Sequence, residues 1–116
     1  MCFTELIANK HSINYCSLDE LGVNSVAFEK REALHLLEYL KNEIIPIIGI
    51  DIYEMKEGII DFSSNYDSWS CDRKENESLS DFVKRSHKSA YEYVDNYSIT
   101  DGIPLFDLVV FNMKQM

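Results

Sequence analysis

The chain has 116 residues, with 11 Lys and Arg against 20 Asp and Glu, and so carries a net charge of −9 with neutral histidines. One domain over residues 1–116 is expected, because a chain near 100 residues buries ~65% of its unfolded surface without disulfides or a metal as a staple. Hydrophobic residues make up 46% of it, with four glycines and two prolines, which excludes a disordered or collagen-like chain, and the acid excess argues against nucleic acid, whose phosphates are bound by Lys and Arg.

Residues 3–9 pattern as a short amphipathic helix. Residues 19–24 read as a turn around Gly22 and Asn24, and 25–27 as a short extended piece. From Glu29 to Asn42 good helix formers place Ala33, Leu36, Leu37 and Leu40 on one face, and the acids at the start and Lys41 near the end suit the helix dipole. Pro46 stops any helix, and the β-branched run that follows predicts a strand over 45–55, a turn at Lys56-Glu57-Gly58 and a return strand over 59–63. Residues 63–76 read as a long Ser, Asn and Asp loop that carries Trp69. Ser78 with Asp81 three residues on is an N-cap pattern, and Leu79, Phe82, Val83, Ser86, Ala90, Val94 and Tyr97 trace one stripe of a second long helix over 79–96. A last strand spans 105–111. These elements predict an α+β two-layer sandwich, a small mostly antiparallel sheet covered on one face by the two long helices.

Alternation turns Ile48, Ile50, Ile52, Ile60, Phe62, Phe106, Leu108 and Val110 toward the helices. The opposite face then collects Gly49, Asp51, Tyr53, Ile59, Asp61, Leu105, Asp107, Val109 and Phe111. Aspartate is disfavoured in strands, so three of them on one exposed face have two readings. They keep an open sheet soluble, or they form an acidic docking face with Tyr53 as an anchor. On either reading, Asn at these positions leaves stability unchanged.

The sequence offers little chemistry. Cys2, Cys16 and Cys71 are distant, odd in number and without companion histidines, so no zinc site is expected and the thiols read as reduced and cytosolic. Asp72 beside Cys71 opposes thiol activation, leaving Cys71 as packing. There is no basic leader with an apolar run and no stretch near the ~18 residues of a membrane span. His11, His35 and His87 are dispersed, and no Gly-x-Ser-x-Gly, Walker or Gly-x-Gly-x-x-Gly motif occurs. Asp67 and Asp72 are the one pair suited to acid/base or Mg²⁺ work. Tyr91, Tyr93 and Tyr97 read as edge-of-core residues, and Lys84, Arg85 and Lys88 as a small basic patch that pairs with local acids. Trp69 has a packing reading and an interface reading, with Tyr66, Asp67 and Asp72 presented around it.

The run Gly49-Ile50-Asp51-Ile52-Tyr53, the segment Tyr66-Asp67-Ser68-Trp69-Ser70-Cys71-Asp72, the helix start Glu77-Ser78-Leu79 with Phe82-Val83-Lys84-Arg85-Ser86, and the tyrosines from 91 to 97 resemble immunity protein family 40 of bacterial polymorphic toxin systems. Gly22-Val23-Asn24, Ala27 and the Glu-rich helix fit too, so the similarity covers roughly residues 20–111. Ile50 interrupts the Gly-Asp pairing expected in the strand motif. The resemblance implies a cytosolic antidote that binds and neutralises a cognate toxin domain without catalysis; the acid excess makes that partner a basic one, and no cofactor, metal, nucleic acid or membrane is expected. The candidate toxin-binding residues are Asp51, Tyr53, Asp61, Tyr66, Asp67, Trp69, Asp72 and Asp107. A small metal-dependent enzyme using Asp67 and Asp72, and a subunit that oligomerises through its sheet, are the competing readings.

Overall fold

The β-branched run from Ile47 makes the strand around which everything else packs, β3 (Ile47–Lys56), and the order of elements in the computed structural model follows from it. The structure describes residues 2–64 and 66–111; Met1, Asn65 and residues 112–116, which the single-domain and loop expectations include, lie outside the described residues. Before β3 come α1 (Phe3–Lys10), β1 (Cys16–Ser17), a 3-10 turn at Asp19–Leu21, β2 (Val26–Ala27) and α2 (Lys30–Asn42). After it come β4 (Ile59–Phe62), β5 (Ser68–Ser70), α3 (Leu79–Asn96) and β6 (Ile103–Val110). Strand pairings among the described residues are antiparallel, giving the expected α+β fold.

β6 lies along one edge of β3, and β4 and then β5 lie along the other. Glu57 and Gly58 turn β3 into β4 with φ of 52° and 79°, the pair of positive angles a two-residue type I′ hairpin requires. On one side of this sheet, Ala33, Leu36, Leu37 and Leu40 of α2 and Ala90 and Val94 of α3 close on Ile47, Ile50, Ile52, Phe106 and Leu108. Each of the Leu, Ile, Val and Phe side chains among these stabilises the fold by about 1.5–3 kcal/mol relative to exposure. Ser78 Oγ accepts the Asp81 amide at 3.1 Å and so caps α3 as expected. At its far end, Lys30 Nζ donates to the carbonyls of Asp95 and Tyr97 at 2.9 and 2.8 Å, tying the start of α2 to helix carbonyls that have no partner within the helix. Among the described residues no helix is long and apolar enough to cross a membrane.

Three expectations about the sheet are corrected. Residues 63–76 are not all loop, because β5 inside them pairs with Gly49–Asp51. The faces of β4 are reversed: Asp61 stands opposite Glu54 and Phe62 opposite Tyr53, so Phe62 faces away from the helices and Asp61 toward their side. The physical cause is the turn, which sets register by pairing Lys56 with Ile59. A register shift between Ile47 and Gly49 brings Ile47 into the core in place of Ile48.

The opposite face is also not open along its whole length. Leu18 and Ala27 pack with Tyr53 and Leu105 in a second apolar cluster, so the segment around β1 and β2 lies over that end of the sheet. Phe28 locks it there, exchanging backbone hydrogen bonds of 2.8 and 2.7 Å with Phe106.

Candidate functional site

Asp51 of β3 is paired directly with Asp107 of β6, so the two carboxylates share one face in the middle of the sheet. Asp51 is exposed. Asp107 is only 5% exposed, which corrects the expectation of an open carboxylate; the segment leading into β2 covers it and Ser25 Oγ donates to its Oδ1 at 2.8 Å. Burial pushes the Asp107 carboxyl up to about 6, the Ser25 hydrogen bond offsets part of this, and the Asp51 charge adds to it. Tyr53, next on the same face, is buried, and its hydroxyl is raised by burial and then by Asp107 and Asp51. Like charges directly opposite each other in a sheet destabilise it. Beyond the covered end, Gly49 and a part-exposed Val109 continue the face, with Ser68 and Ser70 of β5 opposite Asp51 and Gly49. This patch presents one exposed and one shielded carboxylate beside apolar surface, an arrangement suited to a cationic side chain.

The other candidates go elsewhere. Trp69 is opposite Ile50 and so lies on the helix side, half-buried against the main core with its ring 6.3 Å from that of Tyr93. Asp67 is tied to the same side: Tyr97 donates its hydroxyl to Asp67 Oδ2 at 2.7 Å, and the Asp67 carbonyl accepts the Ile52 amide. Burial and that bond push the Tyr97 hydroxyl up to about 12. Tyr66 is 81% exposed. Asp61 is exposed and accepts the Phe62 amide at 2.7 Å. Asp72 is exposed, and its backbone carbonyl accepts Arg85 Nη2 at 2.6 Å. Asp67 and Asp72 stand at opposite ends of β5, roughly 15 Å apart along an extended chain. Among the described residues no group of three or more His, Cys, Asp or Glu is placed to hold a metal ion.

Sequence reasoning missed Ser25, Glu54 and His87. Glu54 is 8% exposed, and its carboxylate accepts the Ser64 amide at 3.1 Å and the Ser64 hydroxyl at 2.9 Å, anchoring the chain where it leaves β4. An acid in a run of isoleucines was the available signal. Arg85 leaves the basic patch to bind Glu77 at 2.7 Å, and its hydrogen bond first of all holds the Glu77 carboxyl down to about 2. The Arg85 Nη1 also donates to the buried Cys71 Sγ at 3.3 Å, consistent with the packing role read for that thiol.

Tyr91 stands exposed on α3, while Tyr93 and Tyr97 are half-buried at the core edge. No curated protein and no solved structure matches the chain. A family model described as Immunity protein 40 matches residues 17–110, a span that takes in the acid pair, the Trp69 strand and both long helices. The chain belongs to the immunity protein 40 family.

Proposed function

We propose that this immunity protein neutralises a cognate toxin domain by binding it, without catalysis, and that the uncovered part of the sheet face at Asp51, beside the shielded Asp107, takes a basic element of that toxin. The observation that supports the reading is the acid pair: a shielded carboxylate facing a second one weakens the fold locally, and the fold itself has no need of it. A lysine or arginine of the partner laid against Asp51 offsets its repulsion with the shielded Asp107, and an arginine fork meets both oxygens of the exposed carboxylate. Val109 supplies apolar contact beside the charges. The net charge of −9 steers a basic partner into the encounter. The same reading sets the action in the cytosol of the toxin-producing cell, with neither nucleic acid nor membrane as partner.

The test is titration of the cognate toxin domain against the wild type, Asp51→Asn and Asp107→Asn, together with growth rescue on co-expression. Each variant is expected to weaken binding by about tenfold or more while remaining folded. Unchanged affinity in both variants moves the interface away from this face.

A further inference from the structure

The basic run Lys84-Arg85-Lys88 is separated by the fold. Arg85 is spent on Glu77, whereas Lys84 and Lys88 line a cavity of about 440 Å³ between α2 and α3, together with Lys41, His87 and Tyr91. Positions 84, 87, 88 and 91 fall on one helical face, which is why α3 delivers all four to one place. The ion pairs among the described residues are Arg85–Glu77 and Lys56–Asp101, so none of the three cavity lysines is paired. Glu38 and Glu92 also line the cavity, leaving a local balance of three ammonium groups to two carboxylates in a chain of net charge −9. His87 is 4% exposed, and its Nε2 donates to the Ile45 carbonyl at 2.6 Å, so the neutral ring keeps Nδ1 as its remaining polar atom.

We propose that this cavity is an oxyanion site that takes a phosphate group, held by the ammonium groups of Lys41, Lys84 and Lys88 and the hydroxyl of Tyr91. The donor set fits the ligand: several separate N–H and O–H groups match the many acceptor positions of a tetrahedral dianion better than the two oxygens of a carboxylate. The acid excess elsewhere does not cancel it, because charges more than ~8 Å away are largely screened at physiological salt. Glu38 and Glu92 limit the negative charge tolerated, which selects a single phosphate over a polyphosphate. Free phosphate and the phosphate of a mononucleotide share this chemistry, and the half-exposed Tyr91 ring offers a base a stacking surface in the second case. The site lies on the helix side of the sheet, away from the acid pair, and does not rest on the toxin-binding reading.

The experiment is an NMR titration of the full chain with inorganic phosphate at constant ionic strength, balanced with chloride, and in parallel with adenosine monophosphate and adenosine. Saturable shifts centred on Lys84, His87 and Lys88 are expected. The double variant Lys84→Gln/Lys88→Gln should weaken phosphate binding by about tenfold, as removal of two screened charges implies, and Lys41→Gln should weaken it less, both with unchanged Tm. Lys10→Gln, on α1, serves as the control that keeps wild-type affinity. Equal binding of phosphate and the nucleotide assigns the site to the phosphate group alone; tighter binding of the nucleotide, with adenosine competing, assigns it to a mononucleotide. Shifts that do not saturate, that chloride reproduces, or that persist undiminished in both Lys variants overturn the proposal.

Discussion

On the helix side of β3, Ile50 and Ile52 are 0% and 4% exposed and belong to the main apolar cluster, whereas on the other side Asp51 stays in water opposite a carboxylate shielded by Ser25. The first arrangement is what hydrophobic periodicity builds unaided, and it carries most of the stability. The second gives up stability at one place in the sheet, a concession that the proposed binding role accounts for. The contrast therefore separates residues that hold the fold from those that the proposal assigns to a partner.

The largest effect expected is on the helix side. Leu36, fully buried, should lose about 3–4 kcal/mol on replacement by Ala, read from urea unfolding; a loss below about 1 kcal/mol would mean that the α2 interface is not where stability resides. Trp69→Ala should follow with more than about 2 kcal/mol, since the indole packs on the core from β5. A stable Trp69→Ala protein that no longer binds toxin would instead make the indole an interface hot spot.

Asp107→Asn sharpens the comparison because it should act with opposite sign. The carboxyl is raised from 3.8 to about 6, so the folded state holds a proton that the unfolded chain releases. Its contribution is fully present below pH 3.8 and is lost as pH rises through about 6. Asn keeps an acceptor for Ser25 without the charge, so the variant should be more stable than wild type at pH 7.5 by about 1–3 kcal/mol, a gain that disappears near pH 4. This reverses the neutral effect expected when the residue was read as exposed. His87 and Glu77, both lowered, lose their contributions as pH falls, so the difference between the variant and wild type is the quantity to follow. A difference independent of pH would place the Asp107 carboxyl in water.

The smallest stability effect belongs to Asp51→Asn, within about 0.5 kcal/mol for an exposed group, with toxin affinity reduced nonetheless. The association rate with the toxin should likewise fall as salt rises. A salt-independent rate would count against charge steering by this face.

Much of the frame was legible in the residues. The stripes of α2 and α3, the Ser78 cap and the Glu57-Gly58 turn are local signals, and each appears where its pattern lies. β5 was not legible, because Ser68-Trp69-Ser70 is extended only through its pairing with β3. The candidate site was partly legible: Asp51, Tyr53 and Asp107 do share a face, while Asp61 falls on the other side of the sheet and Asp67 is engaged by Tyr97. Alternation assigns faces only once register is known, and a turn or a bulge of one residue reverses the assignment.

The sequence by itself determined the helices, the strands β3, β4 and β6 to within about two residues at their ends, and the family to which the chain is similar, since these depend on spacing and residue type within a few turns of chain. The tertiary structure alone decided that Asp107 is covered, that Ile47 and not Ile48 enters the core, and that Lys41 joins Lys84 and Lys88. Each of those outcomes is a meeting of residues distant along the chain, Ser25 with Asp107 or α2 with α3, and burial and charge environment belong to the meeting and not to either segment.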